Sequence, residues 1–421
     1  MIKNIKGFVV VASIIEILLL TCGRNFFGIF VSPIVLLLNG LGISIYALWY
    51  AKRAETLPTN IEKRGKWQLP VLISMAIMGG ITIVNLVKAV LRVVPIDVKA
   101  SDVIPLLQKM VAHFLEGKPV YKSFNDFGYD IYPTYLPTQW IPFIFAEYWK
   151  TDYRMTATIV LLLALAFFFY KIIQSNLTFL QKLLLIIVSC GFVDVFLAVD
   201  GYTIAVSVEQ MIMGYYIFLA VVLATSKNPI LRGIAISLCL LSRFSFLFWL
   251  PMYVFSVYML EGYKPTLKMV STIAIIGMVL YVPFLIQEPN TFFNAQITYE
   301  NAALGEWSRA DTPPHLGNGM GLATHFYHFL NASIPIKIKA VQLTNVILSM
   351  GVSIWLSFFL FKNKHQLNIP IFNVASLKIL ITLFYALIQV PYVYLFYVPL
   401  GITFVLIFVL FNSSAKRSEG G

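Results

Sequence analysis

Residues 70–95 read PVLISMAIMGGITIVNLVKAVLRVVP, and the loop before them, 51–69, holds Lys52, Arg53, Lys63, Arg64 and Lys66. The apolar run is long enough to cross a bilayer as a helix, which takes roughly 20 residues. Loops rich in Lys and Arg stay on the cytoplasmic side, so this segment runs outward. One span with a side attached sets fold class and orientation together, and the rest of the chain repeats the pattern. Of the 421 residues, 59% are hydrophobic and only 12% charged, with a mean hydropathy of +0.81. Soluble domains carry about 25% charged residues, so too little polar surface exists here to solvate a globule. The same numbers exclude disorder, collagen and a disulfide-stapled fold. Cys22, Cys190 and Cys239 lie in or beside apolar stretches with no metal spacing, and read as free thiols.

The apolar runs are continuous, unlike the short alternating strands of a membrane barrel. The expected fold class is therefore all-α, a polytopic transmembrane helical bundle of about 12 spans. These fall at 7–22, 27–50, 70–95, 155–171, 183–199, 205–226, 231–246, 247–262, 269–286, 337–361, 369–389 and 391–411. A shorter apolar stretch, 136–149, carries Pro137 and Pro142 and is expected to enter the membrane without crossing it. With 231–262 as a two-helix hairpin, Lys171/Lys182, Lys227/Arg232, Lys264/Lys268, Lys362/Lys364 and Lys416/Arg417 all fall on the cytoplasmic side. The net charge of +12 is then mainly an orientation signal, and no nucleic-acid partner is expected. The threading predicts a multi-pass protein of a bacterial inner or plasma membrane. Two long loops, 96–154 and 287–336, lie outside, and loops of that length in a compact bundle are usually functional. Residues 412–421 read as a disordered tail. Glu16, alone in the first span, is expected to pair with a neighbouring helix. Asp194 and Asp200 read as a solvated helix end.

The first outer loop is the most informative. Val103, Leu107, Met110, Val111, Phe114 and Leu115 recur at helical spacing and predict a helix lying in the membrane interface, stopped by Gly117. Tyr121, Phe124, Phe127, Tyr129, Tyr132 and Tyr135 follow, an aromatic set typical of that depth. The loop also gathers Asp97, Asp102, Asp126 and Asp130, and carboxylates beside lipid are costly unless they face water, a partner or a substrate. By spacing alone, Asp102 could simply complement the dipole of the helix it precedes.

An acid after an outward span, an interfacial helix, then EGKPVY (116–121) and YPTYLPTQWIPF (132–143) resemble the first external loop of the GT-C glycosyltransferases. Those enzymes take sugars from polyprenyl-phosphate donors. Residues 208–251, VEQMIMGYYIFLAVVLATSKNPILRGIAISLCLLSRFSFLFWLP, are similar to the family's middle section, with Glu209-Gln210 where Gly-Gln is usual and Arg243-Phe where Lys-Pro is usual. LGNGMGLATHFYHFL (316–330) is loosely similar to the late loop of the mannosyltransferase-like branch. The order of features covers roughly residues 70–335. Residues 1–69 look like two helices added before the family's first, and 70–411 like the catalytic module.

The resemblance implies an integral membrane hexosyltransferase, with mannose among the candidate sugars. It would work on the outer membrane face and take a lipid-linked or glycan acceptor. Displacement at the anomeric carbon by a single base inverts the configuration. Phosphate leaves readily, so one carboxylate suffices to take the acceptor proton. Asp102 matches that base by position, with Asp97 the runner-up. Cations should face the leaving phosphate, and the candidates are Arg243, Arg309 and Lys337, with Lys339 beside it. Arginine inside an apolar helix is expensive and usually functional, although Arg243 could also snorkel to the interface. Tyr121, Asp126, Asp130, Tyr132, Glu209, Gln210 and His325 complete the expected substrate-binding set. His315, His325 and His328 with Asp311 match no standard metal spacing, so no metal site is expected. The family leaves room for a divalent ion as a helper. Two other classes remain open. An O-antigen polymerase or ligase would rely on Arg and His of the late loop, and a lipid transporter or flippase would show inverted repeats and helices broken near mid-membrane.

Overall fold

The computed structural model describes residues 5–56, 65–309 and 313–415. Lys63, Arg64, Asp311, Lys416 and Arg417 lie outside them. The chain is a helical bundle. Among the described residues eight helices are long and apolar enough to cross a membrane, as a polytopic membrane protein requires. They correspond to eight of the twelve expected spans. The other four are shorter. Residues 7–22 form α1 (Ile5–Leu18), closed by a π-turn over Leu19–Gly23, and 205–226 contribute α9 (Glu209–Thr225). The expected pair at 231–262 becomes α10 (Pro229–Leu240), a 3-10 turn at Phe244–Phe246, and α11 (Leu250–Glu261). The 12 residues of each half-helix extend about 18 Å, well short of a hydrocarbon core of about 30 Å. The physical reason is local. Arg243 and the backbone around it leave the helical ladder, and Arg232 near the start of α10 pairs with Glu261 at the end of α11 at 2.6 Å, closing the hairpin at its base.

The remaining long helices make up the rest of the bundle. These are α2 (Arg24–Ala51), α3 (Gln68–Val93), α7 (Tyr153–Gln174), α8 (Phe179–Val206), α12 (Tyr263–Leu280), α17 (Ile334–Asn363), α18 (Ile369–Ala386) and α19 (Tyr397–Phe411). One end of the bundle gathers the basic loops. There Lys6 donates to the Ser413 carbonyl at 2.7 Å, the Asn368 amide meets the Ala51 carbonyl at 2.7 Å, and Ala54–Thr56 pairs antiparallel with Ser413–Ala415. The tail expected from residue 412 thus begins as an ordered strand, because residues 54–56 offer it a partner edge. The two N-terminal helices are integral to the packing: α2 runs along α18, and α1 contacts α19. Asp194 and Asp200 lie inside α8 and not at its end, and one Asp194 carboxylate oxygen is buried without a hydrogen-bond partner.

The opposite end carries the outer-loop elements: α4 (Val103–Leu115), α5 (Pro137–Trp140), α6 (Phe143–Trp149), α13 (Val282–Gln287), α14 (Thr291–Trp307), α15 (Pro314–Asn318) and α16 (Ala323–Phe329). Helix α4 ends where Gly117 turns to φ 68°, with the Lys118 amide closing onto the His113 carbonyl at 2.8 Å, a left-handed cap that glycine adopts without strain. Its apolar face was expected to lie in lipid headgroups. Along the helix Ile104, Leu107, Met110 and Val111 are buried against α5 and α6, while Phe114 and Leu115 at its end are exposed. Helices α5 and α6, of 4 and 7 residues, are too short to cross a bilayer.

Glu16 finds its partner deep in the bundle. Lys378 on α18 donates to both its carboxylate oxygens, at 2.8 and 3.1 Å, and Thr403 on α19 adds a bond at 3.0 Å. Both charged groups are almost wholly buried. Removing one partner of such a pair leaves an uncompensated charge, whereas replacing both with apolar or neutral groups is far milder. Lys378→Met should therefore lower stability by about 3–5 kcal/mol, while Glu16→Gln with Lys378→Met recovers most of that. Thermal unfolding of the detergent-solubilised chain measures both, and equal losses in the single and double variants would contradict the pairing.

Candidate functional site

The Asp102 end of the bundle is stitched by Arg154, a residue the sequence reading did not single out. Its guanidinium is buried, pairs with Asp152 at 2.7 Å, and donates to the carbonyls of Val94 and Ala205 at 2.7 and 3.1 Å. One side chain thus fixes the adjoining ends of α3, α7 and α8. Gln210, at the start of α9, donates to the Arg154 carbonyl at 3.2 Å, and its own side-chain oxygen is buried and unpartnered.

Beside it, Glu209 pairs with Arg243. The two residues come from different elements, the first turn of α9 and the apex of the α10–α11 hairpin. Glu209 is 6% exposed and Arg243 18%, so this is a deeply placed ion pair. The second Glu209 oxygen has no hydrogen-bond partner. The Tyr385 hydroxyl meets the same guanidinium, and Tyr299 and Tyr394 lie within electrostatic reach of it. The apex is roofed by the proline-rich turn of the first outer loop. Thr138 donates through its amide to Leu241 at 3.1 Å and through its hydroxyl to Leu238 at 2.9 Å, and its carbonyl accepts from Tyr215 at 2.9 Å. Thr138, directly after the YPTYLP segment, therefore satisfies carbonyls that the broken helix leaves free, which is what a helix end away from water requires.

Asp102 precedes the first turn of α4 and accepts from the Tyr129 hydroxyl at 2.8 Å. Burial, reinforced by that carboxylate, pushes the Tyr129 hydroxyl up to about 12. Tyr135 connects the two halves of the site. Burial raises its hydroxyl well above the ordinary tyrosine range, and the charges of both Asp102 and Glu209 add to the effect. Tyr392 likewise feels Asp102, Glu306 and Arg309. Tyrosines 135, 299, 392 and 394 thus share electrostatic partners among Asp102, Glu209 and Arg243. Arg309 is 58% exposed and pairs with Glu306 at 3.4 Å.

The other expected site residues take different places. Asp97 is exposed and turns back onto the Lys99 amide at 2.9 Å. Asp126 pairs with Lys109 at 2.8 Å on the surface, and the Lys109 ammonium holds its carboxyl below the usual range. Asp130 is exposed. Tyr121 is buried in an aromatic cluster: it accepts from Trp140 at 3.2 Å and donates to the Tyr135 carbonyl at 2.8 Å, and its ring meets Phe284. Tyr132 donates to the Tyr121 carbonyl at 3.1 Å and reaches Thr291 at 3.2 Å, so it ties the first outer loop to α14. His325 packs between Phe30 and Phe329, with both ring nitrogens buried and unpartnered. Lys337 donates to the Tyr327 carbonyl at 2.6 Å and lies over the same ring. Among the described residues no group of three His, Cys, Asp or Glu side chains could hold a metal ion.

The contact between Asp102 and Tyr129 gives a direct test. Asp102→Asn removes the charge that disfavours the phenolate, so the Tyr129 hydroxyl should titrate closer to the ordinary value of about 10. Tyrosine ring-carbon NMR, assigned with Tyr129→Phe, reads the shift, and an unmoved titration would contradict the contact. In comparisons with known proteins, no family model, curated protein or solved structure matches this chain.

Proposed function

We propose that this chain is an integral membrane glycosyltransferase that moves a hexose-type sugar from a polyprenyl-phosphate donor to a lipid-linked or glycan acceptor. The observation that carries the reading is the Arg243–Glu209 ion pair at the break of an apolar hairpin, with the Asp102 carboxylate held by Tyr129 in the loop whose proline-rich turn leads to that break. The resemblance of residues 70–335 to the GT-C enzymes supports it independently. On this reading the donor's polyprenyl tail stays in lipid while its phosphate meets Arg243. Asp102 takes the proton from the acceptor hydroxyl as that oxygen attacks the anomeric carbon. The sugar–phosphate bond breaks on the opposite side, so the configuration inverts. The phosphate leaves with its negative charge facing the arginine, which stabilises it most strongly where water is excluded. Glu209, which pairs with Arg243, must yield to the phosphate. The basic loops at the Lys6 end favour that end as cytoplasmic, which sets the reaction on the outer membrane face.

One observation favours a second reading. The α10–α11 hairpin is broken short of a full crossing, and discontinuous helices of this kind mark substrate sites in transporters. A lipid-phosphate transporter would move substrate across proteoliposomes without forming a new glycosidic bond. The polymerase or ligase reading draws no support from His325, whose ring faces phenylalanines.

A general base supplies about 10²–10⁴-fold in rate. With a radiolabelled polyprenyl-phosphate sugar and membranes as acceptor source, Asp102→Asn should reduce transfer by that factor. Asp97→Asn should stay within a few-fold of the parent, and both should insert normally. Near-normal transfer by Asp102→Asn would rule out this assignment, and substrate flux without transfer in the parent would favour the transporter.

A further inference from the structure

Beside the Asp102 loop lies an open cleft of about 410 Å³. One wall is the segment around Lys122, Ser123 and Tyr132, and the other is the start of α14, with Glu288, Asn294 and Thr298. None of the α14-side residues carries a role in the reading above. We propose that this cleft is a saccharide subsite that holds the acceptor's neutral sugar residues while its hydroxyl is presented to Asp102. The inference rests on the glycosyltransferase reading for its biological role, but the binding itself does not depend on catalysis.

Four features point to a neutral polyol. The volume is in the range of small-molecule sites, about 300–1,000 Å³. The walls mix donors and acceptors: an ammonium, hydroxyls, an amide and a carboxylate. Lys122 and Glu288, opposite in sign, line the same void yet form no ion pair with each other, so the cleft as a whole favours neither anion nor cation. A phosphate would face the Glu288 carboxylate, and an acyl chain would strip water from at least five polar side chains without replacing their hydrogen bonds, a cost that buried polar groups do not tolerate. A sugar, rich in groups that both donate and accept, satisfies them.

The cleft is also preformed and well placed. Tyr132 ties its two walls through the Tyr121 carbonyl and the Thr291 hydroxyl. Thr291 in turn donates to the Glu288 carbonyl at 2.6 Å, so the α14 wall is fixed at its first turn. Tyr132 and Tyr129 flank the Phe124–Ile131 bridge of one short hairpin, and Tyr129 holds the Asp102 carboxylate. The cleft wall and the acid are therefore held by the same loop. Being open, the cleft leaves room for a longer glycan to continue outward.

Saturation-transfer NMR of the full chain in lipid nanodiscs, with maltotriose, cellotriose and mannotriose as probes, tests this. At least one triose should receive saturation, Asn294→Ala should weaken that triose about tenfold, and Thr298→Trp, which fills the cleft, should abolish the signal. Unchanged thermal unfolding of both variants shows that they fold. Absence of transfer to every triose, binding indifferent to both cleft variants, or a response to inorganic phosphate alone would overturn the proposal. Triose binding in a chain without transferase activity would refute the functional reading and leave the cleft assignment standing, whereas transferase activity without triose binding would do the reverse.

Discussion

A charged pair at the apex of a broken hairpin sets the terms for the rest of this molecule. Arginine and glutamate away from water are tolerated when each satisfies the other, so Arg243 must meet Glu209, and their elements must end where they do. Helix α9 has to begin at Glu209. Helix α10 has to stop near Leu240, because its continuation would carry Arg243 away from that partner. The carbonyls freed by the stop then need donors, and Thr138 supplies them from the proline-rich turn of the first outer loop. A loop that would otherwise be surface ornament thereby becomes the roof of a site inside the bundle.

The scaffold around this pair is held by further polar contacts at intervals. Arg154 joins three helix ends near the rim. The Glu16–Lys378 pair fastens the first helix to the hairpin of α18 and α19, whose connecting turn carries Tyr392 and Tyr394. An aromatic cluster of Phe114, Tyr121, Trp140 and Phe284 seats α4 and α13 on α5. Each contact unites segments far apart in sequence. Rigid support of this kind is what positioning catalysis asks for, since charges fixed in advance need no rearrangement when the reaction occurs.

The membrane class and the long apolar helices were legible in the sequence because each depends on composition over a window of about 20 residues. Asp102 and Arg243 were also legible, as charges in places where charge is costly. Arg243 was read as facing a substrate, and its pairing with Glu209 was not foreseen. The hairpin at 231–262 was legible from its apolar runs, but the partner on α9 that explains its break at Arg243 was not. Tyr135, Tyr392 and Tyr394 could not be singled out, because tyrosines in apolar outer loops are common at membrane interfaces. The exposed places of Asp97 and Asp130 follow from local turns, which spacing does not reveal.

The central claim is that a lipid phosphate binds between Arg243 and Asp102. A cryo-electron microscopy structure with a polyprenyl-phosphate sugar bound tests it most directly. The account predicts the phosphate within hydrogen-bonding distance of the Arg243 guanidinium, with Glu209 released from it, and the anomeric carbon turned toward the Asp102 rim. A phosphate held by Lys337 or Arg309 instead, with the Glu209–Arg243 pair intact, would contradict it.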